Sequence, residues 1–103
     1  TINNHMQRVS RDGDLAVTGH GCQAVAPCIA SANSVFINGI RVARPGDPLV
    51  PHTRPVGPFC FFHFAQINMG SSTVFAQGIP VARVGDSADL GAMIQGSGNV
   101  FAR

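Results

Sequence analysis

The sequence predicts an all-β fold of three related β-hairpins with no substantial helix, and three observations predict it. The heptapeptide Arg8-Val9-Ser10-Arg11-Asp12-Gly13-Asp14 returns as Arg41-Val42-Ala43-Arg44-Pro45-Gly46-Asp47 and as Pro80-Val81-Ala82-Arg83-Val84-Gly85-Asp86. A second motif, Ser34-Val35-Phe36, returns as Thr73-Val74-Phe75 and Asn99-Val100-Phe101, and it alternates with the first. No window of about 11 residues holds a sustained i, i+3, i+4, i+7 apolar pattern, while 12 glycines and 7 prolines punctuate the chain. The chain therefore reads as one supersecondary unit written three times, with the opening strand of the first unit missing.

Residues 34–44 are a hairpin in sequence form. Ser34–Ile37 and Ile40–Arg44 flank Asn38-Gly39, a pair that tolerates the two positive-φ positions of a type I′ turn. Residues 73–83 repeat the pattern around Gln77-Gly78, and Pro80 implies a position without a ladder bond. Gly13-Asp14, Gly46-Asp47 and Gly85-Asp86 follow the hairpin positions and read as turns. Glycine takes the unusual φ there, and the aspartate caps backbone N–H groups rather than doing catalysis. Gly70-Ser71-Ser72 and Gly96-Ser97-Gly98 are the turns before the next strand. The stretch 48–68, with Pro48, Pro51, Pro55 and Pro58 before Phe59-Cys60-Phe61-Phe62-His63-Phe64, is expected to be a loop packed by its aromatics, with at most one short strand. His5-Met6 looks like a cloning junction. Residues 1–6 are therefore set apart, His5 is left out of any site, and 7–103 are read as a single domain.

The bulk properties narrow the function. Charged residues are 12% of the chain, about half the usual share, which suggests a surface that something else covers or one that is unusually flat and apolar. A net charge of +2 without a basic run argues against nucleic acid. No apolar stretch is long enough for a membrane-spanning helix, and no secretory signal pattern opens the chain. A domain of 103 residues has a modest core and gains from a metal, a disulfide or a partner.

His20 and His52 follow successive Gly-Asp turns at nearly equivalent places, and His63 lies in the long link. A three-fold repeat would bring them together around its pseudo-axis, where imidazoles and a thiolate could close a tetrahedral zinc site. Three cysteines argue against a full disulfide framework. Cys60 forms a Cys-x-x-His pair with His63, Cys22 is two residues from His20, and Cys28 has no histidine nearby. Hydrolytic signatures such as Gly-x-Ser-x-Gly or His-Glu-x-x-His are missing. A Cys60–His63 nucleophile pair lacks an orienting third group. No catalytic residue is assigned.

The runs at 35–47 and 74–86, together with Gly96-Ser97-Gly98-Asn99-Val100-Phe101, closely resemble PAAR-repeat proteins from about Arg8 to Phe101. The resemblance implies a small cone of three pseudo-three-fold-related hairpins with a metal near its vertex. It implies zinc, in preference to iron, held by three histidines and one cysteine. It implies a tip that caps a trimeric β-helical spike, one tip per trimer, in a type VI secretion system, a phage tail or a related contractile machine. Such a tip is a monomer in itself, binds no nucleic acid, assembles in the bacterial cytoplasm, and touches the target membrane transiently as the spike pierces the envelope. His20, His52 and His63 match the family's histidines. The family's cysteine falls where Leu90-Gly91 stands here, so Cys60 is taken as the fourth ligand, with Cys22, a three-ligand site or a different metal as alternatives. The competing reading is a small metal-dependent enzyme or toxin with an open histidine site.

Overall fold

A computed structural model of the chain describes residues 6–103, so the expectation for residues 1–6 lies, Met6 apart, outside the described residues. The described residues form an all-β fold without a helix. The strands are β1 (Gln7–Arg8), β2 (Leu15–Val17), β3 (Val25–Pro27), β4 (Phe36–Ile37), β5 (Ile40–Arg41), β6 (His52–Val56), β7 (Phe59–His63), β8 (Phe75–Ala76), β9 (Ile79–Pro80), β10 (Ser87–Ala88), β11 (Gly91–Met93) and β12 (Phe101–Ala102).

The β4–β5 and β8–β9 hairpins turn through Asn38-Gly39 and Gln77-Gly78, all four residues at positive φ. Their strands are shorter than the sequence suggests because, one bond further on, Ala43 and Ala82 turn to pair with other units. β12 pairs antiparallel with β1, and so takes the place of the missing opening strand of the first unit. The three hairpins are equivalent at the level of single bonds. Val9 N–H donates to Val100 O, Val42 to Val35 and Val81 to Val74, each at 3.0 Å. Pro80 stands opposite Phe75, one residue short of the Val81–Val74 bond, in the wide pair where its lacking N–H costs nothing.

One residue further along, the three units meet. Ser10 N–H donates to Ala82 O (2.9 Å), Ala82 N–H to Ala43 O (2.8 Å) and Ala43 N–H to Ser10 O (3.0 Å), closing a triangle of backbone bonds around the pseudo-three-fold axis. All three side chains are fully buried there, and three chains this close leave room only for small ones. Each chain then enters its Gly-Asp turn. Gly13, Gly46 and Gly85 have φ of 85°, 91° and 96°, and the Asp14, Asp47 and Asp86 carboxylates accept from the backbone N–H of Arg11, Arg44 and Arg83.

Past the turns the chain forms three antiparallel pairs that join side by side. β10, β11, β2 and β3 lie in one sheet; Cys28 bridges to Leu49, Pro48 to Gln66, and Ile67 to Ala88, back at β10. These bridges close the ring, and it encloses Ala16, Cys28, Leu49, Ile67 and Met93. The loops that reverse the pairs all lie at the end of this barrel away from the Gly-Asp turns.

The stretch 48–68 is not the aromatic-packed loop expected. Its middle is the longest hairpin of the fold, β6–β7, with His52 opposite His63 and Val56 opposite Phe59. Gly57, at φ 59°, makes the turn. The prolines mislead because Pro55 sits two residues from Thr53, whose N–H and C=O point outward to Gln23. Pro55 therefore occupies an outward position too and breaks no inter-strand bond. Phe59, Phe61, Phe62 and Phe64 are exposed instead of packed.

Candidate metal centre

Three reversals at one end of the barrel deliver four side chains to one point. His20 comes from the 18–24 loop between β2 and β3. His52 and His63 face each other at the root of β6–β7, and Asp89 occupies the turn between β10 and β11. The imidazole centroids form a nearly equilateral triangle with sides of 5.2, 5.2 and 5.3 Å. His20 Nε2 lies 2.9 Å and His52 Nε2 2.7 Å from Asp89 Oδ2, and His63 Nε2 lies 3.1 Å from Oδ1. His52 is fully buried, and a cleft of about 320 Å³ opens onto His20, His63 and Asp89.

The backbone explains this convergence. Thr18 is buried and its hydroxyl donates to Gln23 O (2.8 Å), tying the His20 loop to itself. Gly19 has φ of 80°, and a Cβ there would collide with the Leu90 carbonyl; Gly91 packs as closely on Val17. The His20 loop and the Asp89 turn therefore touch backbone to backbone, as only glycine allows. Asp89 itself has φ of 54°, a conformation aspartate tolerates, and its N–H donates to Gln66 O (3.0 Å).

The donor set fits a metal ion. His20 Nδ1 is 2.9 Å from Gly21 O, and His52 Nδ1 is 2.9 Å from Val50 O. A carbonyl only accepts, so each Nδ1 carries the proton and donates. In the neutral ring Nε2 is then a bare lone pair, and it faces a carboxylate that also only accepts. Such an arrangement is stable only with positive charge among the four groups, as protons or as a metal. In a tetrahedral zinc site with bonds of 2.0–2.1 Å, neighbouring ligand atoms are about 3.3 Å apart. The three histidine–carboxylate spacings of 2.7–3.1 Å are somewhat shorter than that, and all four ligand atoms lie within 4.8 Å of one another. Burial pushes the Asp89 carboxyl up, but hydrogen bonds from His63, His52 and His20 outweigh it and hold its pKa below the ordinary value.

The structure brings His20, His52 and His63 together and corrects the place of Cys60. Cys60 is disulfide-bonded to Cys22, with Cα atoms 6.0 Å apart, so neither sulfur is available to the group. The Cys-x-x-His spacing that suggested Cys60 is an odd step along β7, so it places Cys60 on the face opposite His63, two pairs along from Phe62, where it meets the 18–24 loop. The fourth position belongs to Asp89, one residue before the Leu90-Gly91 where a thiolate was expected. The signal for it was a fifth aspartate outside the three Gly-Asp turns. Cys28 is a buried free thiol that donates to Arg11 O (3.1 Å). Burial, with Asp14 and Asp12 beside it, pushes its pKa up to about 12.

Comparison with known proteins gives two results. The DNA polymerase processivity factor of human herpesvirus 8 type P (isolate GK18) is 27% identical over 104 aligned residues, covering 91% of this chain. The chain spans only 26% of that protein's length, and a likeness so partial carries no functional argument. The PAAR motif matches residues 16–96, about four-fifths of the chain, taking in two of the three hairpins, the barrel pairs and all four residues of the centre. With the motif spread over the repeat and its histidines, the chain belongs to the PAAR family.

Proposed function

We propose that this chain is the metal-stabilised, cone-shaped tip of a contractile injection spike, in a type VI secretion system or a phage tail, and that it sharpens the spike for passage through the target envelope. The observation that carries the reading is the pseudo-three-fold end of the molecule. Phe36, Phe75 and Phe101 occupy equivalent places in the three hairpins, and all three are about half exposed. One chain so built meets a true three-fold partner without mismatch, and an exposed apolar patch of this kind marks an interaction face. The outer edges of the short hairpin strands can add to a partner's strands by β-augmentation. Membership of the PAAR family, which is structural rather than enzymatic, points the same way.

At the other end, His20, His52, His63 and Asp89 hold zinc, which fastens three loops of a small domain. The chain assembles on its spike in the bacterial cytoplasm and rides at the distal tip thereafter. The test is to mix the folded, metal-loaded chain with its cognate trimeric spike and measure the mass of the complex. One chain per trimer is expected, lost in a Phe36→Asp/Phe75→Asp/Phe101→Asp variant. A spike that leaves the folded chain free overturns the assignment.

A further inference from the structure

The β6–β7 hairpin projects beyond the candidate metal centre, at the end of the barrel away from the three repeat hairpins, and among the described residues it pairs with no other strand. Its apolar side chains lie in water. Phe59 is 64% exposed and Phe62 73%, with Val56 and Phe61 about half exposed. They occupy both faces. The register puts Val56, Phe59 and Phe61 on one side and Phe62 on the other. Charge on the hairpin is confined to Arg54, and no acidic residue stands anywhere between Asp47 and Asp86.

From this we infer that the hairpin is a lipid-inserting finger that enters the interface of an anionic bilayer. A protein partner docks against one face and leaves the other wet, whereas acyl chains surround a thin two-stranded ribbon and cover both. The single cation suits phosphate headgroups, and no carboxylate opposes the approach. The root is rigid: the Cys22–Cys60 bond and the paired His52 and His63 hold it to the body, so little order is lost on insertion. The inference is independent of the spike, because the isolated chain already carries every group it needs.

The chain has no tryptophan, so Phe61→Trp introduces a sole reporter. It is titrated with vesicles of phosphatidylglycerol and phosphatidylcholine and with vesicles of phosphatidylcholine alone. A blue shift on the anionic vesicles, quenched by brominated acyl chains, is expected. Adding Phe59→Ser and Phe62→Ser should weaken partitioning by about tenfold each. Arg54→Gln should lower the preference for anionic vesicles by about fivefold. If Phe61→Trp disturbs folding, Phe62→Trp on the opposite face reads the same event. Emission unmoved by lipid overturns the inference. So does a blue shift without bromine quenching, or one that follows protein concentration instead of lipid, since either means burial against protein. Spike binding is measured without lipid, so the two readings fail separately.

Discussion

Asp89 and Cys60 can be told apart by metal content. Under the proposed assignment Asp89→Ala removes a ligand, and zinc per chain should fall well below one, whereas Cys60→Ser should leave it near one; elemental analysis of the purified variants decides. The sign of the acid response follows from the lowered Asp89 pKa. In metal-free protein this carboxylate contributes stability above the ordinary carboxylate range, near pH 4, and that contribution is lost as pH falls through its lower folded value. Asp89→Asn should therefore flatten the acid limb of Tm against pH. Thiols give a second check. Alkylation at pH 8 should label no cysteine in the native chain, one after denaturation without reductant and three after reduction, because Cys28 is buried with a pKa of about 12 while Cys22 and Cys60 are bonded. Labelling of Cys60 in the native, unreduced protein would refute the disulfide. The histidines were legible in the sequence because the repeat ties their positions together. Asp89 was not, because a carboxylate in a turn looks like the three aspartates that cap backbone, and only the closure of the barrel shows where it points.

Among the elements, the repeat hairpins were readable because turn chemistry is local: Asn38-Gly39 and Gln77-Gly78 specify positive φ without help from distant residues. β6–β7 was obscured by the opposite circumstance. Pro55 is compatible with β6 only because the register turns its backbone outward, the direction in which Thr53 meets Gln23, thirty positions away in the chain. The 18–24 loop depends most narrowly on one residue. Gly19→Ala meets both a left-handed φ and the Leu90 carbonyl, and it should destabilise the protein by about 1–3 kcal/mol. It should also weaken metal binding by displacing His20 from Asp89. A Gly98→Ala control has open space and no positive φ, and should change little. Denaturant melts of the two, with zinc titration, test the difference; equal effects would contradict the close approach described for Gly19.

For the whole molecule, three-fold order was visible in the repeated heptapeptide, but its closure was not. The sequence shows an incomplete unit at each end, and nothing local says that β1 and β12 complete one another. That pair is held by a few backbone bonds between residues almost a full chain apart, so its closure entropy falls due late in folding. The hairpin it forms is nevertheless geometrically the same as the two with covalent turns. The fold is thus indifferent to which of its three turns is cut. A circular permutant that joins Ala102 to Gln7 through an Asn-Gly pair and opens the chain between Asn38 and Gly39 should keep the metal centre and the native spectrum, and a permutant that fails to fold would show the three hairpins to be unequal. A cyclised chain with all three turns intact would leave the β1–β12 pair no seam at which unzipping could start.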